Sequence, residues 1–297
     1  MIFHNLVDGE QYINIQGIKH WCKVAGAKYN TVPLIVVHGG PGGNHYVFER
    51  TIGPRIESFT TVIYYEQRGS GRSQEPEDEN DYSIDTLVRD LEMLRMALGV
   101  PKINLLGYSF GAQLCLEYAL KYPAVVGKLI LQAPTIGDYE RMYQIQLKGF
   151  ASVAQGKIKQ RIDALNHTKI SLTEKYNQVW NLVDTATVDR LLFVNQKYAK
   201  LNRDLWEESG LVNTGKMAEV LFRSRPCISL FDRVENIKAS TVIMVGKYDR
   251  NTGVKMSEDL AKAILSSHLI MFEQSAHFPD IEEEEKFSRV IWEFLNK

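Results

Sequence analysis

The sequence predicts an α/β fold with a mostly parallel central sheet. Three observations carry that expectation. Apolar runs such as residues 33–37 are continuous rather than alternating, which suits strands covered on both faces. Strand and helix patterns alternate along most of the chain, the order that builds a parallel sheet covered by helices. The segment Gly107-Tyr108-Ser109-Phe110-Gly111 stands between an apolar run, 102–106, and a helical pattern over 112–122. Strand, sharp turn and helix are the context in which Gly-x-Ser-x-Gly carries chemistry.

The 297 residues allow one large α/β domain with an insertion. A net charge of −1 favours neither nucleic acid nor an anionic membrane as partner. No apolar run is long enough to span a bilayer. Residues 1–5 lack the basic region and apolar core of a secretory signal. Cys22, Cys115 and Cys227 are an odd, widely spaced set, which argues against a disulfide framework or a zinc site. A reducing cytoplasm is the expected compartment.

In chain order, residues 11–24 alternate weakly about Gly17 and read as an N-terminal hairpin. The strand at 33–37 ends in His38-Gly39-Gly40-Pro41-Gly42-Gly43, a loop with little side-chain bulk and many free N–H groups. The strand at 60–65 runs into the glycine-containing loop 66–73. Residues 75–81 read as an acidic surface loop, and Ser83 as an N-cap. Ile84, Leu87, Val88, Leu91, Leu94 and Leu98 then recur at helical spacing until Gly99 and Pro101 stop the helix. The serine turn follows, and after it a strand at 126–131.

Between 139 and 225 no buried strand is visible. Helical patterns appear, for example over 142–153 and 188–201, with many aromatics among them. We read residues 136–235 as a helical cap domain over the active edge of a core made of 1–135 and 236–297. Most of the aromatics should pack the cap and a few should face the cavity. The sheet resumes at 239–245 and leads to Asp249. A helix over 255–265, a strand at 268–272 leading to His277, and a final helix over 280–295 complete the chain. The acidic run Glu282–Glu285 reads as a solvated helix start rather than a metal site.

A serine hydroxyl needs a base to take its proton, and the base needs a partner that fixes its tautomer. Asp249 and His277 each follow a predicted strand, so both fall on the sheet edge that carries Ser109. The order Ser, Asp, His is the one this architecture uses. We assign Ser109 as nucleophile, His277 as general base and then acid, and Asp249 as the orienting carboxylate. His4, His20, His45, His167 and His268 lack this placement, although His45 follows the glycine loop and could approach the pocket. The oxyanion of a tetrahedral intermediate needs two N–H donors, expected from Phe110 and from Gly40.

These motifs resemble the α/β-hydrolase superfamily over nearly the whole chain. More narrowly, His38-Gly39-Gly40-Pro41-Gly42, Gln67-Arg68-Gly69-Ser70-Gly71-Arg72-Ser73 and the serine turn are similar to those of the prolyl iminopeptidase family of serine peptidases. The resemblance implies an α/β-hydrolase fold with a helical cap, no cofactor, and removal of an N-terminal residue, often proline, from short peptides. The chain departs from the family pattern in having Glu66 where Asp is usual and Phe110 where Trp is usual. An aminopeptidase needs carboxylates for the substrate's ammonium, and Glu174, Glu207, Glu208 and Glu219 are the cap candidates. Arg250, directly after Asp249, stands where some relatives carry an acid. Two further readings stand beside the peptidase: a broader amino-acid amidase, esterase or lactonase with the same triad, and a non-catalytic ligand-binding protein on the hydrolase fold.

Overall fold

Eight strands form one sheet in the computed structural model, which describes residues 6–223 and 229–297; His4, Arg225 and Cys227 lie outside the described residues. The strands are β1 (Gly9–Ile15), β2 (Ile18–Ala25), β3 (Leu34–Val37), β4 (Val62–Tyr65), β5 (Ile103–Tyr108), β6 (Val126–Gln132), β7 (Ser240–Gly246) and β8 (Ser267–Phe272). Their order is β1-β2-β4-β3-β5-β6-β7-β8. β1 and β2 form the expected antiparallel hairpin, and β2 pairs antiparallel with β4. The remaining pairs, from β4 to β8, are parallel.

Alternation within each strand sends side chains to two faces. Ile35, Val37, Ile63, Tyr65, Leu105 and Leu129 pack under the helices Ile84–Ala97, Phe110–Lys121 and Val254–Ala263. Leu34, Val36, Val62, Tyr64, Leu106 and Ile130 face the helices Tyr46–Arg50, Gly53–Glu57 and Glu284–Asn296. Both faces are therefore covered, which is why these strands read as unbroken apolar runs. The cap on the helix Ile84–Ala97 is as expected: Ser83 Oγ accepts from Thr86 N at 3.1 Å.

The parallel register brings the carboxyl ends of the strands level. Val37 lies beside Gly107, Tyr108 beside Gln132, Gln132 beside Met244, and Gly246 beside Phe272. The segments that follow, with His38, Ser109, Asp249 and His277, consequently emerge along one edge.

Residues 139–223 contribute only helices, with their own apolar cluster around Leu147, Phe150, Ile162, Val179 and Leu191. The helix expected over 188–201 is two helices, Thr185–Leu192 and Gln196–Ser209. The break has a tertiary cause. Phe193 stacks on Phe278 with ring centroids 4.9 Å apart, and the N–H groups of Val194 and Asn195 both donate to Glu282 Oε1 at 2.8 Å. The final helix is also divided, into Pro279–Glu282 and Glu284–Asn296. Glu282 and Glu283 are not simply solvated. Glu282 Oε2 accepts from Ala276 N at 2.8 Å, and Glu283 Oε2 accepts from Gln274 N at 2.9 Å and Ser275 Oγ at 2.5 Å. The short helices Tyr46–Arg50 and Gly53–Glu57 were not expected, because five residues are too few to display a period.

The loop 66–73 acts as a brace. Gln67 N donates to His38 Nε2 at 3.1 Å and Gln67 Nε2 to His38 O at 2.9 Å. Arg72 binds both oxygens of buried Glu66, reaches Glu49, and lies 3.2 Å from the Trp21 ring centroid. Arg68 forms a two-pronged pair with buried Asp90 at 2.7 and 2.8 Å, and His20 Nε2 lies 3.3 Å from the same carboxylate. Removing one partner of a buried pair strands the other charge. Arg68→Ala should therefore lower unfolding free energy by about 3 kcal/mol, read by urea denaturation; a change within experimental error would contradict this role.

Candidate active site

Ser109 immediately precedes the helix Phe110–Lys121 that follows β5, with φ 55° and ψ −117°, a region that L residues rarely occupy. Neighbouring bonds hold it there. Ser109 N donates to Gln132 O at 2.8 Å, and the Ser109 carbonyl accepts from Ala112 N at 3.1 Å and Thr135 N at 3.2 Å. The flanking glycines are required by close approach. A Cβ on Gly107 would meet the carbonyl of Gly111 and, at 2.7 Å, the Cα of Ala112; one on Gly111 would strike the carbonyl of Val37.

Asp249 and His277 meet across the ends of β7 and β8. His277 Nδ1 lies 3.2 Å from Asp249 Oδ2, and both side chains are buried. Asp249 Oδ1 also accepts from Asn251 N at 2.8 Å and Thr252 N at 3.0 Å, and the Thr252 hydroxyl lies 2.7 Å from Oδ2. Burial pushes this carboxyl upward, but His277 and the surrounding donors outweigh it and hold the group below the ordinary aspartate value. The pair is thus an ionised acceptor facing an imidazole N–H.

Ser109, His277, Gly40 and Phe110 all line one cavity of about 720 Å³. Gly40 has φ 128°, and a Cβ there would fall 2.6 Å from the backbone nitrogens of Gly42 and Gly43, so the loop's tight turn excludes a side chain. Phe110 N is at the first position of its helix, where backbone N–H groups lack intrahelical partners. Five aromatics of the insertion, Tyr139, Tyr176, Trp180, Trp206 and Phe222, also line the cavity, whereas Phe150 and Phe193 are buried in packing.

A family model described as alpha/beta hydrolase fold matches residues 32–284. The chain belongs to the α/β-hydrolase family. It is 30% identical to a proline iminopeptidase of Saccharolobus solfataricus over 97% of this chain and 92% of that one. It is 27% identical to a proline iminopeptidase of Thermoplasma volcanium over 96% of each. The crystal structure of a proline iminopeptidase-related protein from Thermus thermophilus matches with TM-score 0.81 at 25% identity, over 98% of both chains. This α/β-hydrolase is therefore a hydrolase of the proline iminopeptidase-like branch.

The other sequence candidates stand elsewhere in the hydrolase. Glu174, Glu207, Glu208 and Glu219 are exposed, and none lines the cavity. Glu174 accepts from Gln178 Nε2, Glu208 accepts from the Tyr46 hydroxyl at 2.8 Å, and Glu219 pairs with Arg223. His45 is fully buried off the cavity, its Nε2 2.9 Å from the carbonyl of Tyr65. Arg250 turns back to the Tyr248 carbonyl at 3.2 Å. Among the described residues no group of three or more His, Cys, Asp or Glu is placed to hold a metal ion.

Two lining residues were not singled out from sequence. Asn251 Nδ2 lies 3.1 Å from His277 Nε2. Asp280 is the one carboxylate among the cavity's described lining residues, and no lysine or arginine joins it there. Its position three residues after His277 was the available signal. Gln132 Nε2 donates to Asp280 Oδ1 at 2.5 Å, yet burial prevails and pushes the carboxyl up to about 7. The folded state therefore holds this proton more tightly than the unfolded chain, whose ordinary value is 3.8. Stability linked to Asp280 is greatest below the unfolded value and is lost as pH rises toward about 7. Asp280→Asn removes this titration, so its Tm relative to the unsubstituted protein should climb between about pH 4 and about pH 8. Thermal denaturation across that range checks the sign; a constant difference would contradict it.

Proposed function

We propose that this α/β-hydrolase is a serine hydrolase that releases an N-terminal proline, or another small apolar residue, from short peptides through an acyl-enzyme. The observation that carries the reading is Ser109, held on a strained turn, lining the same cavity as His277, which is paired with Asp249. Ser109 Oγ attacks the substrate carbonyl and His277 Nε2 takes its proton. The Asp249 carboxylate keeps hydrogen on Nδ1 and stabilises the imidazolium that results. N–H groups of Phe110 and Gly40 receive the oxyanion. His277 then returns the proton to the departing amine, and water admitted by the same base releases the acyl group. Residues 136–235 serve as the cap that closes this chemistry from solvent.

The named relatives and the apolar, aromatic wall support a prolyl or similar acyl group. Asp280 is the proposed partner for the substrate's ammonium, since the four cap glutamates lie off the cavity. That same observation favours a second reading, an amidase or esterase of broader range, because a single carboxylate recognises an amine less strictly than several.

A panel of prolyl and other aminoacyl p-nitroanilides, with p-nitrophenyl acetate as reference, separates the two. The aminopeptidase reading expects higher kcat/KM on prolyl substrate, and ester turnover without aminoacyl turnover would overturn it. Asp280→Asn should raise KM for aminoacyl anilides while leaving the acetate ester little changed; an equal effect on both substrates would remove the ammonium role. Ser109→Ala should abolish labelling by a fluorophosphonate, and His277→Ala should lower kcat by roughly four to six orders of magnitude. Undiminished labelling or turnover in these variants would overturn these two assignments, and absence of both labelling and turnover in the unsubstituted protein would favour a ligand-binding role for the fold.

A further inference from the structure

A line of hydrogen bonds joins the helical insertion to the imidazole. The Trp180 indole N–H donates to Gln146 Oε1 at 3.0 Å. Gln146 Nε2 donates to Asn251 Oδ1 at 2.9 Å. Asn251 Nδ2 and His277 Nε2 are 3.1 Å apart, and His277 Nδ1 and Asp249 Oδ2 are 3.2 Å apart. Chemistry at the two ends sets the direction of every link. An indole nitrogen only donates, and an ionised carboxylate only accepts. Each amide must then turn its oxygen toward the indole and its NH2 toward the imidazole. It follows that His277 is neutral with hydrogen on Nδ1, and that the Asn251 amide occupies the lone pair of Nε2.

That lone pair is the one required to take the serine proton. No hydrogen bond joins Ser109 Oγ to His277 among the described residues; the group bonded to Nε2 is the Asn251 amide. The Asn251 backbone is pinned, because its N–H and that of Thr252 both bind Asp249 Oδ1. Its side chain is the part free to turn, and the contact opposing that turn is the one to Gln146. Trp180, Gln146 and Asn251 all line the cavity, beside Tyr176. A substrate group lodged against that wall would meet the relay along its length.

We infer that Asn251 is a positioning residue that keeps the base idle in the free enzyme, and that an apolar group filling the cavity against Tyr176 and Trp180 releases it. This rests on the roles given above to Ser109 and His277. Release breaks the Gln146–Asn251 link, lets the Asn251 amide leave Nε2, and opens Nε2 to the Ser109 hydroxyl. The consequence is specificity. A small ester leaves the relay intact and meets a blocked base, whereas a substrate that fills the cap side meets a free one.

The test measures the second-order rate at which a methyl fluorophosphonate, too small to fill the wall at Trp180, modifies Ser109 in the full chain. The unsubstituted protein is compared with Asn251→Ala, Trp180→Phe and the double variant. Trp180→Phe keeps an aromatic ring in the packing but removes the donor that heads the relay. Each single variant should react faster, roughly 2- to 12-fold, the worth of one hydrogen bond. The double variant should react no faster than Asn251→Ala, since both changes cut one line. The ratio of kcat/KM for prolyl p-nitroanilide to that for p-nitrophenyl acetate should fall in each. A purely structural role would slow labelling. Unchanged or slower labelling in folded Asn251→Ala or in Trp180→Phe overturns the inference while leaving the triad in place. Absence of Ser109 labelling in the unsubstituted protein removes the hydrolase mechanism itself.

Discussion

The backbone at Ser109 is the constraint on which the rest of this structure depends. A positive φ at a residue with a side chain costs energy, of order 1–3 kcal/mol, and it persists only where the surroundings leave no alternative. Here the surroundings are β5 on one side and the helix Phe110–Lys121 on the other, brought so close that Gly107 and Gly111 have no room for a Cβ. Bonds from Ser109 N to Gln132 and from Thr135 N to the Ser109 carbonyl tie the turn to β6 and its loop. The strain stands the hydroxyl clear of the sheet edge. It also fixes where the ends of β7 and β8 must bring their own side chains, because the sheet register levels them with β5.

Loops at that edge have little apolar surface of their own and are held by buried polar groups instead. The His38–Gly43 loop is fastened by Gln67, whose backbone and side chain both bind His38. Burial lowers the pKa of His38, so it serves as a neutral donor and acceptor rather than as a charge. Glu66 is in turn held by Arg72, and Asp90 by Arg68 and His20. Each charge has a partner, which is the condition under which a buried carboxylate is tolerated. None of residues 66–73 lines the cavity, so this motif acts on the site through the loop it braces.

The helical insertion and the sheet meet at the His277 segment. Glu282 gathers three backbone N–H groups, two from the break at Val194 and Asn195 and one from Ala276. His277 N binds the carbonyl of Leu192 at 3.0 Å. The segment that carries the imidazole is thus shared between the two parts of the molecule. A second link runs through side chains, from Trp180 to Asn251. Both make the geometry of the base depend on how the insertion sits.

Local chemistry determined what could be read from the residues alone. Continuous apolar strands, the Ser83 cap, the glycines of the serine turn, and the placement of Asp249 and His277 after strands each depend on neighbours close in the chain. They led to a mostly parallel sheet and put three side chains on one edge, while the α/β-hydrolase family was suggested by the resemblance of the motifs at 38–42, 67–73 and 107–111. The helix division at Phe193 was hidden because Phe278 is a distant partner, and that at Glu283 because the bonds of Glu282 and Glu283 to the loop at Gln274–Ala276 leave no mark on periodicity. Only the tertiary structure decided which carboxylate borders the cavity. Glu174, Glu207, Glu208 and Glu219 turn outward, while Asp280 is drawn inside by the packing of its own segment. The contact of Asn251 with His277 likewise depends on Gln146, 105 residues away, and on an indole from another helix. Periodicity assigns a residue to a helix or strand; the direction of a side chain across a shared cavity follows from how those elements pack.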